Sequence, residues 1–279
     1  MSCVLCDGIK DNFINIQQYY SNLEKKIMLF ETENFKVIPD KFPISPNHII
    51  ILPKKHINTF AEFNETQAEE VGKILDFLQL KTEAKSFIMF EHGTSKSEEL
   101  NTDPTIKSIF HAHLHFIPDV KCTTQDIADF FANKSVRLLD DDNKEKNISS
   151  YESAYVSNHK LVPFLKDNVV YEDPTGTSIE SYLYIKNSDN THLFFPERLV
   201  TPRIPSQFLR EALSVVCDTP EWNWKIPMTK EGRAKYEYRI KKMTELFAAE
   251  SIVQPRKIIN SQIPIIKNLH SDMGRMERQ

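Results

Sequence analysis

Three histidines alternate with apolar residues in the segment HAHLHFIP, at positions 111, 113 and 115. Successive side chains of a β-strand point to opposite faces. The spacing therefore predicts that His111, His113 and His115 line one face, roughly 6.5–7 Å apart. Burying three imidazoles costs desolvation free energy unless each ring has a polar partner. The pattern indicates a functional site, at which the histidines could bind a metal ion, bind an anion or carry out covalent chemistry.

A second group of possible metal ligands lies near the start of the sequence, where Cys3 and Cys6 form a CxxC motif. The chain has 4 cysteines in 279 residues, which is too few for a disulfide framework. The CxxC motif is therefore typical of a metal-binding or redox site. Cys122 and Cys217 carry no motif, and we expect both to be buried as small hydrophobic residues.

The composition is that of an ordinary globular protein, with 40% hydrophobic and 27% charged residues. A net charge of −4 gives no sign of the basic face with which proteins bind nucleic acids, so a nucleic-acid partner is not expected. The sequence contains no run of about 18 apolar residues that would predict a membrane span. It also shows no basic and apolar leader. We therefore expect a cytoplasmic protein with no membrane contact.

Several strands and one helix must position the histidines. Apolar runs predict strands near residues 35–38 and 48–52, separated by a proline-containing turn. Asn64 can cap a helix whose apolar residues recur at helical spacing. A short buried strand over residues 86–93 follows, and then the histidine strand, which Pro118 ends.

The 279 residues exceed the ~100–200 residues of one typical domain. We expect a catalytic domain over residues 1–125 and an extension over residues 151–279, joined by a polar, acidic linker over residues 126–150. The extension carries a hairpin signal, a helix capped by Ser206 and a charged surface helix over residues 229–250. Because an isolated hairpin buries too little surface to be stable, we expect the extension to pack on the first domain.

The order of these motifs resembles the histidine triad (HIT) superfamily: a CxxC, the strand segment NHIIILPKKHI at residues 47–57, a helix, a strand and the alternating histidines. The resemblance covers about the first 120 residues. It implies an α+β fold, with a HIT-like antiparallel sheet, flanking helices and a C-terminal α+β extension. Minimal members of the family pair as dimers, so the resemblance also implies a homodimer as one assembly.

The resemblance assigns the chemistry to His113, which would attack the α-phosphorus of a nucleotide and form a covalent nucleotidyl-histidine. A neutral imidazole is a suitable nucleophile near pH 7. His115 and His48 would donate hydrogen bonds to phosphate oxygens, where charge develops in the transition state. Water or another acceptor would then take the nucleotide, which implies a nucleotide hydrolase or a nucleotidyltransferase. Members that transfer nucleotides to sugar phosphates carry glutamine at the third triad position, so His115 favours hydrolysis.

The resemblance also implies a structural zinc ion held by Cys3, Cys6, His56 and His111. In zinc-bearing members, the CxxC pairs with a histidine after the LPKK-type strand and with the first triad histidine. Four nitrogen and sulfur ligands suit the tetrahedral coordination of structural Zn²⁺. The metal would then occupy His111 and leave the other two triad histidines for chemistry.

Five further residues are predicted to contact the substrate. Ser108 matches the end of the Gly-Gly-Gln-Ser run that precedes the triad in many small members, although its glycines are absent here. Glu91 and His92 stand where these members have an asparagine-containing segment. Gln207 and Arg210 lie one helical turn apart near a predicted helix N-terminus, and arginine binds phosphate well through paired hydrogen bonds. The alternatives are a polar strand end for the first pair and a structural or solvent-exposed role for the second.

Two other functions fit the same residues. The chain could be a non-catalytic nucleotide-binding or protein-interaction module of the HIT fold, although such a module would have no need of His113. It could also be a hydrolase whose three strand histidines bind a catalytic metal. In that case, chelation should abolish activity directly.

Overall fold

The part of the chain that a computed structural model describes comprises residues 3, 5, 6, 27–94, 111–133, 137–139, 145–147, 155–157, 181–189, 192–197, 208–217 and 229–248. The predicted contact residues Ser108 and Gln207, and the predicted helix cap Ser206, lie outside these residues. No helix in the described segments has both the length and the apolar character that crossing a bilayer requires.

The described residues form strands β1 to β10, helices α1 to α4 and a short 3-10 turn at Phe60–Glu62. The strands are β1 Phe30–Glu31, β2 Phe35–Pro39, β3 Ile49–Pro53, β4 Phe87–Thr94, β5 Leu114–Pro118, β6 Arg137–Leu139, β7 Glu145–Asn147, β8 Tyr155–Ser157, β9 Ser181–Asn187 and β10 His192–Glu197. The helices are α1 Glu65–Lys81, α2 Thr124–Asn133, α3 Phe208–Val216 and α4 Lys230–Ala248.

Eight of these strands form one sheet in the order β1-β2-β3-β5-β4-β9-β10-β8, and all neighbouring pairs are antiparallel. β6 and β7 pair with each other. The expected α+β fold, with an antiparallel sheet and flanking helices, is confirmed. β5 carries His115 and lies between β3 and β4. β3 begins directly after His48, and β4 carries Glu91.

Helix α1 begins at the predicted cap. The side chain of Asn64 accepts a hydrogen bond from the Gln67 backbone N–H at 2.9 Å, and the Gln67 side chain accepts one from the Asn64 N–H at 3.0 Å. These bonds satisfy backbone donors that the start of a helix leaves unpaired. The apolar face of α1 packs into a core with β2, β3, β4 and β5 through Val71, Ile74, Leu75 and Leu78.

The histidine strand is shorter than the sequence predicts. β5 begins at Leu114, so His111 and His113 precede it. The backbone N–H of Ala112 donates to the carbonyl of Ile57 at 2.7 Å, which joins this segment to the chain that follows β3. The prediction that all three histidines line one strand face is therefore wrong, and of the three it is His115 that belongs to the strand.

Helix α4 is more buried than the sequence predicts. Tyr236, Ile240, Met243 and Phe247 are buried, and their spacing puts them on one helical face. Met243 and Phe247 join the same core as α1. The prediction of a surface helix is wrong for this face. The apolar residues of α4 form only a narrow stripe, and the charged residues between them dominate the sequence.

Helix α2 crosses the boundary that the sequence places at residue 125. Ile127 is fully buried in a core that also contains Leu209 of α3, so the expected polar linker begins as a packed helix. Cys122 and Cys217, near the ends of these two helices, are joined by a disulfide. The expected burial is confirmed for Cys122, whereas Cys217 is half-buried. The disulfide was not predicted, because 95 residues separate the two cysteines and no local pattern indicates the pairing.

Residues 151–279 are expected not to fold when expressed alone. β9 pairs with β10 on one side and with β4 on the other, in a register that runs from Ile88 with Asn187 to Thr94 with Ser181. Without β4 the fragment would expose an unpaired strand edge. During urea denaturation followed by circular dichroism, the full chain should unfold cooperatively and the fragment should show no transition. A cooperative transition in the isolated fragment would contradict the predicted docking.

Candidate active site

His48 and His115 form a buried hydrogen-bonded pair between β3 and β5. His48 directly precedes β3 and has no exposed surface. Its Nδ1 accepts a hydrogen bond from the backbone N–H of Ile44 at 3.3 Å, so a neutral His48 carries its proton on Nε2. This Nε2 lies 2.9 Å from Nδ1 of His115 and donates to it. A neutral His115 therefore carries its own proton on Nε2.

Burial keeps both rings of this pair neutral. It lowers the pKa of His48 well below its ordinary value and lowers the pKa of His115, and in both cases the carboxylate of Asp40 opposes the shift. The ring of Phe90 stacks on His115, with centroids 4.4 Å apart and planes within 6° of parallel. His115 thus presents a proton on Nε2 from a ring whose orientation is fixed.

His113 has one favoured tautomer. Its Nδ1 lies 2.7 Å from the backbone carbonyl oxygen of His111 and donates to it, so Nε2 of the neutral ring keeps its lone pair. Burial, helped by the nearby His115, lowers the pKa of His113 to about 3, and the hydrogen bond to the His111 carbonyl opposes this shift. The two ring centroids are 5.2 Å apart. The partner of Nδ1 is thus a backbone carbonyl, which fixes the tautomer of His113.

Glu91 lies on the face of β4 opposite the triad. The register of β4 with β5 puts Phe90 on the triad face, so the next side chain points to the other face. The fully buried Glu91 carboxylate accepts hydrogen bonds from the N–H of Phe60 at 3.0 Å, the hydroxyl of Tyr182 at 2.6 Å and the backbone N–H of His113. Burial raises its pKa to about 8, although these bonds oppose the shift. This position does not support the predicted substrate contact of Glu91, and instead the carboxyl group anchors the backbone of His113.

His92 follows Glu91 on β4 and therefore returns to the triad face. It is half-buried, and a charge on its ring disfavours protonation of His113. This position is compatible with the predicted substrate contact of His92, which stays a prediction. The substrate contacts of Ser108 and Gln207 also stay predictions, since both residues lie outside the described segments.

Arg210 meets Asp40, a residue that the sequence did not indicate. Its guanidinium group donates to the two carboxylate oxygens at 2.8 and 3.1 Å, and also to the carbonyl of Phe42. Arg210 is 8% exposed and Asp40 is 2% exposed. The predicted phosphate contact of Arg210 is not supported, because a carboxylate already takes its paired donors. Asp40 stands eight residues before His48 and belongs to no motif that sequence inspection recognised.

Asp40 also faces the histidine pair. One of its carboxylate oxygens lies 3.5 Å from Nδ1 of His115 and 3.7 Å from Nε2 of His48. Burial alone would raise the pKa of Asp40, but Arg210 and the two histidines outweigh burial and hold this pKa well below its ordinary value. The site therefore combines a buried ion pair with two neutral imidazoles.

The four predicted metal ligands come together at one point. The ligand atoms of Cys3, Cys6, His56 and His111 all lie within 4.8 Å of one another. Sγ of Cys6 lies 3.2 Å from Nδ1 of His56 and 3.4 Å from Nδ1 of His111. Nε2 of His111 donates to the Pro53 carbonyl at 3.0 Å, which turns Nδ1 toward the cysteines. These four residues could hold a metal ion.

The three triad histidines do not form a single ligand set. Among the described residues, His111 groups with the two cysteines, whereas His115 groups with His48 and Asp40. Nδ1 of His113 is bonded to a carbonyl oxygen. A catalytic metal held by all three histidines, the third interpretation of the sequence, does not fit these positions.

The part of the chain that carries these histidines is similar to known proteins. A family model described as "Scavenger mRNA decapping enzyme C-term binding" matches residues 14–127. An uncharacterised HIT-like protein of Chlamydia muridarum is 32% identical over 94 residues, which make up 32% of this chain and 68% of that protein. The chain belongs to the histidine triad (HIT) superfamily.

Two further similarities are more partial. The galactose-1-phosphate uridylyltransferase of Thermotoga maritima is 25% identical over 95 residues, or 34% of this HIT chain and 29% of that enzyme. A hypothetical histidine triad nucleotide-binding protein from Sulfolobus tokodaii, known from a crystal structure, is 25% identical. That similarity covers 43% of this chain and 71% of the other, with a TM-score of 0.28. The match to the family model ends at residue 127, so Arg210 lies beyond it.

Proposed function

We propose that this HIT protein hydrolyses or transfers nucleotides through a covalent nucleotidyl intermediate on His113. The observation that carries the proposal is the 2.7 Å hydrogen bond from Nδ1 of His113 to the His111 carbonyl. This bond leaves Nε2 of the neutral ring unprotonated, beside the fixed donor of His115. An imidazole nitrogen in this state is a competent nucleophile.

In the first step, the lone pair on Nε2 of His113 forms a bond to the α-phosphorus. The bond from phosphorus to the leaving oxygen or nitrogen breaks, and the leaving group departs with the electron pair. An amine leaving group also takes up a proton from solvent. Because Nδ1 keeps its proton, the modified ring gains positive charge, which the carbonyl of His111 stabilises. In hydrolysis, water then attacks the phosphorus, the P–N bond breaks, and its electron pair returns to Nε2. The proton of the water passes to solvent.

His115 would donate from Nε2 to a phosphoryl oxygen, where negative charge grows in the transition state. His48 would fix this donor, since its own Nε2 donates to Nδ1 of His115 at 2.9 Å. The sequence predicts that both histidines contact phosphate. The complete burial of His48 favours an indirect role for that ring.

Histidine at the third triad position favours hydrolysis as the first activity to test. The similarity to a uridylyltransferase keeps nucleotidyl transfer as the second. A cytoplasmic location and a homodimeric assembly stay predictions of the sequence.

We further propose that the Cys/His cluster holds a structural zinc ion. With Zn–S of about 2.3 Å and Zn–N of about 2.0 Å, a tetrahedral ion places sulfur and nitrogen ligands about 3.5 Å apart. Three sulfur–nitrogen distances among Cys3, Cys6, His56 and His111 lie between 3.2 and 3.5 Å, so the donor set fits zinc. Because the protein supplies all four ligands, the ion would join the N-terminal segment to the triad segment and have a structural role.

A substrate panel tests the proposed reaction. The protein is incubated in ¹⁸O-labelled water with dinucleoside polyphosphates, nucleoside phosphoramidates, adenylylated amines and nucleotide sugars, and the products are identified by mass spectrometry. Hydrolysis through the proposed intermediate should release a nucleoside monophosphate that carries a single ¹⁸O atom. Transfer should require an added acceptor, such as a sugar phosphate. If no substrate reacted while a nucleoside monophosphate bound in calorimetry, the non-catalytic module would describe the protein better.

A further inference from the structure

The C-terminal extension reaches the active site through the side chain of Arg210. Helix α3 lies beyond residue 127, where the match to the family model ends. Its Arg210 nevertheless binds Asp40, the first residue after β2. The backbone N–H of Asp40 donates to the carbonyl of His48 at 2.9 Å. The extension thereby contacts the part of the chain that matches the family model, next to the histidine pair.

The contact between Arg210 and Asp40 fixes the orientation of both side chains. Two N–H groups meet two carboxylate oxygens, the arrangement in which arginine and carboxylate bind most specifically. The backbone N–H of Phe42 donates to the same carboxylate at 2.6 Å, and Arg210 donates to the Phe42 carbonyl. Both side chains are almost completely buried, so salt screens this ion pair little.

One oxygen of Asp40 connects this ion pair to the histidines. The oxygen that Arg210 binds at 2.8 Å lies 3.5 Å from Nδ1 of His115 and 3.7 Å from Nε2 of His48. A buried carboxylate that loses its partner is strongly destabilised. Without Arg210, the N–H on Nε2 of His48 would therefore turn from His115 to the Asp40 carboxylate, 3.7 Å away. Nδ1 of His115, 3.5 Å from the same oxygen, would then be free to take the ring proton from Nε2 and donate to Asp40 as well. The ring would then lose the donor that faces the phosphate.

A cation bound between Asp40, His48 and His115 is the competing interpretation, since their ligand atoms lie within 4.8 Å of one another. The guanidinium group of Arg210, 2.8 Å from the carboxylate oxygen, would repel such a cation. On helix α4, Arg239 adds a second positive charge near this turn, where it donates to the Pro43 carbonyl at 2.8 Å. The charges around the cluster therefore favour an ion pair over a metal ion.

We propose that Arg210 is a positioning residue, which occupies the carboxylate of Asp40 and so keeps the proton of His115 on Nε2. The catalytic consequence rests on the proposed function. The position of the His115 proton does not depend on the proposed function, because it can be measured in the protein without substrate.

Nitrogen NMR of the full-length protein labelled with ¹⁵N-histidine measures this proton directly. His48 and His115, assigned through His→Gln variants, should each show a protonated Nε2 and an unprotonated Nδ1 in the wild type. Arg210→Gln should move the proton of His115 to Nδ1. The matched control is Arg239→Gln, which removes the other arginine that contacts this turn and should leave the His115 tautomer unchanged. An unchanged tautomer in Arg210→Gln, or an equal change in the control, would overturn the proposal.

Kinetics then separate positioning from phosphate binding. With a substrate that the wild type turns over, Arg210→Gln and Asp40→Asn should each lower kcat by about 10²-fold, the loss expected when a catalytic group is misplaced. The double variant should be no slower than the slower single variant, because both substitutions break one contact. Losses that multiply, or a change confined to KM, would mean that Arg210 acts on the substrate and would refute positioning.

Two measures keep these experiments decisive. If circular dichroism shows that Arg210→Gln does not fold, Arg210→Met replaces it in both experiments, since methionine keeps much of the buried side-chain volume but has neither the charge nor the N–H donors. If the wild type turns over no substrate, the proposed function fails, and the NMR result still decides the role of Arg210.

Discussion

Replacing His113 with alanine should abolish turnover, with kcat lower by at least about 10⁴-fold. The substitution removes the nitrogen that forms the bond to phosphorus, so the covalent route is eliminated and not merely slowed. Binding of a nucleoside monophosphate should largely survive, because His113 supplies one contact among several. The expected result is therefore a loss in kcat with little change in the dissociation constant of the product, measured by calorimetry.

The covalent intermediate provides a second readout of the same prediction. After rapid acid quench during turnover, denaturing mass spectrometry should show a nucleotide-sized mass gain on the wild type and none on His113→Ala. The matched control is His92→Ala, which removes another histidine from the same face and should still form the adduct. Turnover by His113→Ala at near the wild-type rate would show that the nucleophile has been assigned to the wrong residue.

A smaller substitution at the same position should restore part of the chemistry. His113→Gly leaves space for the imidazole ring of a nucleoside phosphorimidazolide, whose P–N bond reproduces that of the intermediate. This variant should hydrolyse the imidazolide and remain inactive on ordinary substrates. Equal inactivity on both would indicate that the site no longer positions the phosphate.

The elements that carry the site could be predicted because their signals are local. The cap of α1 depends on Asn64 and Gln67, three residues apart, and the structure has both of its hydrogen bonds. The apolar runs that became β2, β3 and β4 lie within single strands of the sheet. The set of four metal ligands is not local, since Cys3 and His111 are 108 residues apart. It was predicted from the resemblance to a family and not from spacing.

Contacts between distant segments could not be predicted in this way. Arg210 and Asp40 are 170 residues apart, so no periodicity or motif connects them. The direction of Glu91 depends on the register between β4 and β5, and a shift of one residue would have turned its carboxyl group toward the triad. Sequence inspection therefore identified the residue types near the site, whereas the partner of each charged side chain depended on the tertiary fold.

The protein should contain about one zinc ion per chain, and the loss of this ion should lower both its stability and its activity. Zinc binding to a structural site of four protein ligands contributes directly to the free energy of folding. The carbonyl that orients His113 belongs to His111, which is itself one of the proposed ligands. Cys6→Ser should therefore lower Tm and lower kcat, while zinc content measured by inductively coupled plasma mass spectrometry falls well below that of the wild type.

Two controls test whether the effect of Cys6→Ser comes from the metal. Cys122→Ser removes a cysteine of the disulfide and should leave the zinc content unchanged. Exchange of zinc for cobalt should restore the fold and give nearly the same kcat, because an ion with four protein ligands has no open position for substrate. A kcat that followed the identity of the metal would point to a catalytic ion. A fully folded, zinc-free protein, purified without chelator, would refute the structural site. The orientation of His113 would then depend on the carbonyls of Pro53 and Ile57 and on the Glu91 carboxyl group, which accept hydrogen bonds from residues 111–113.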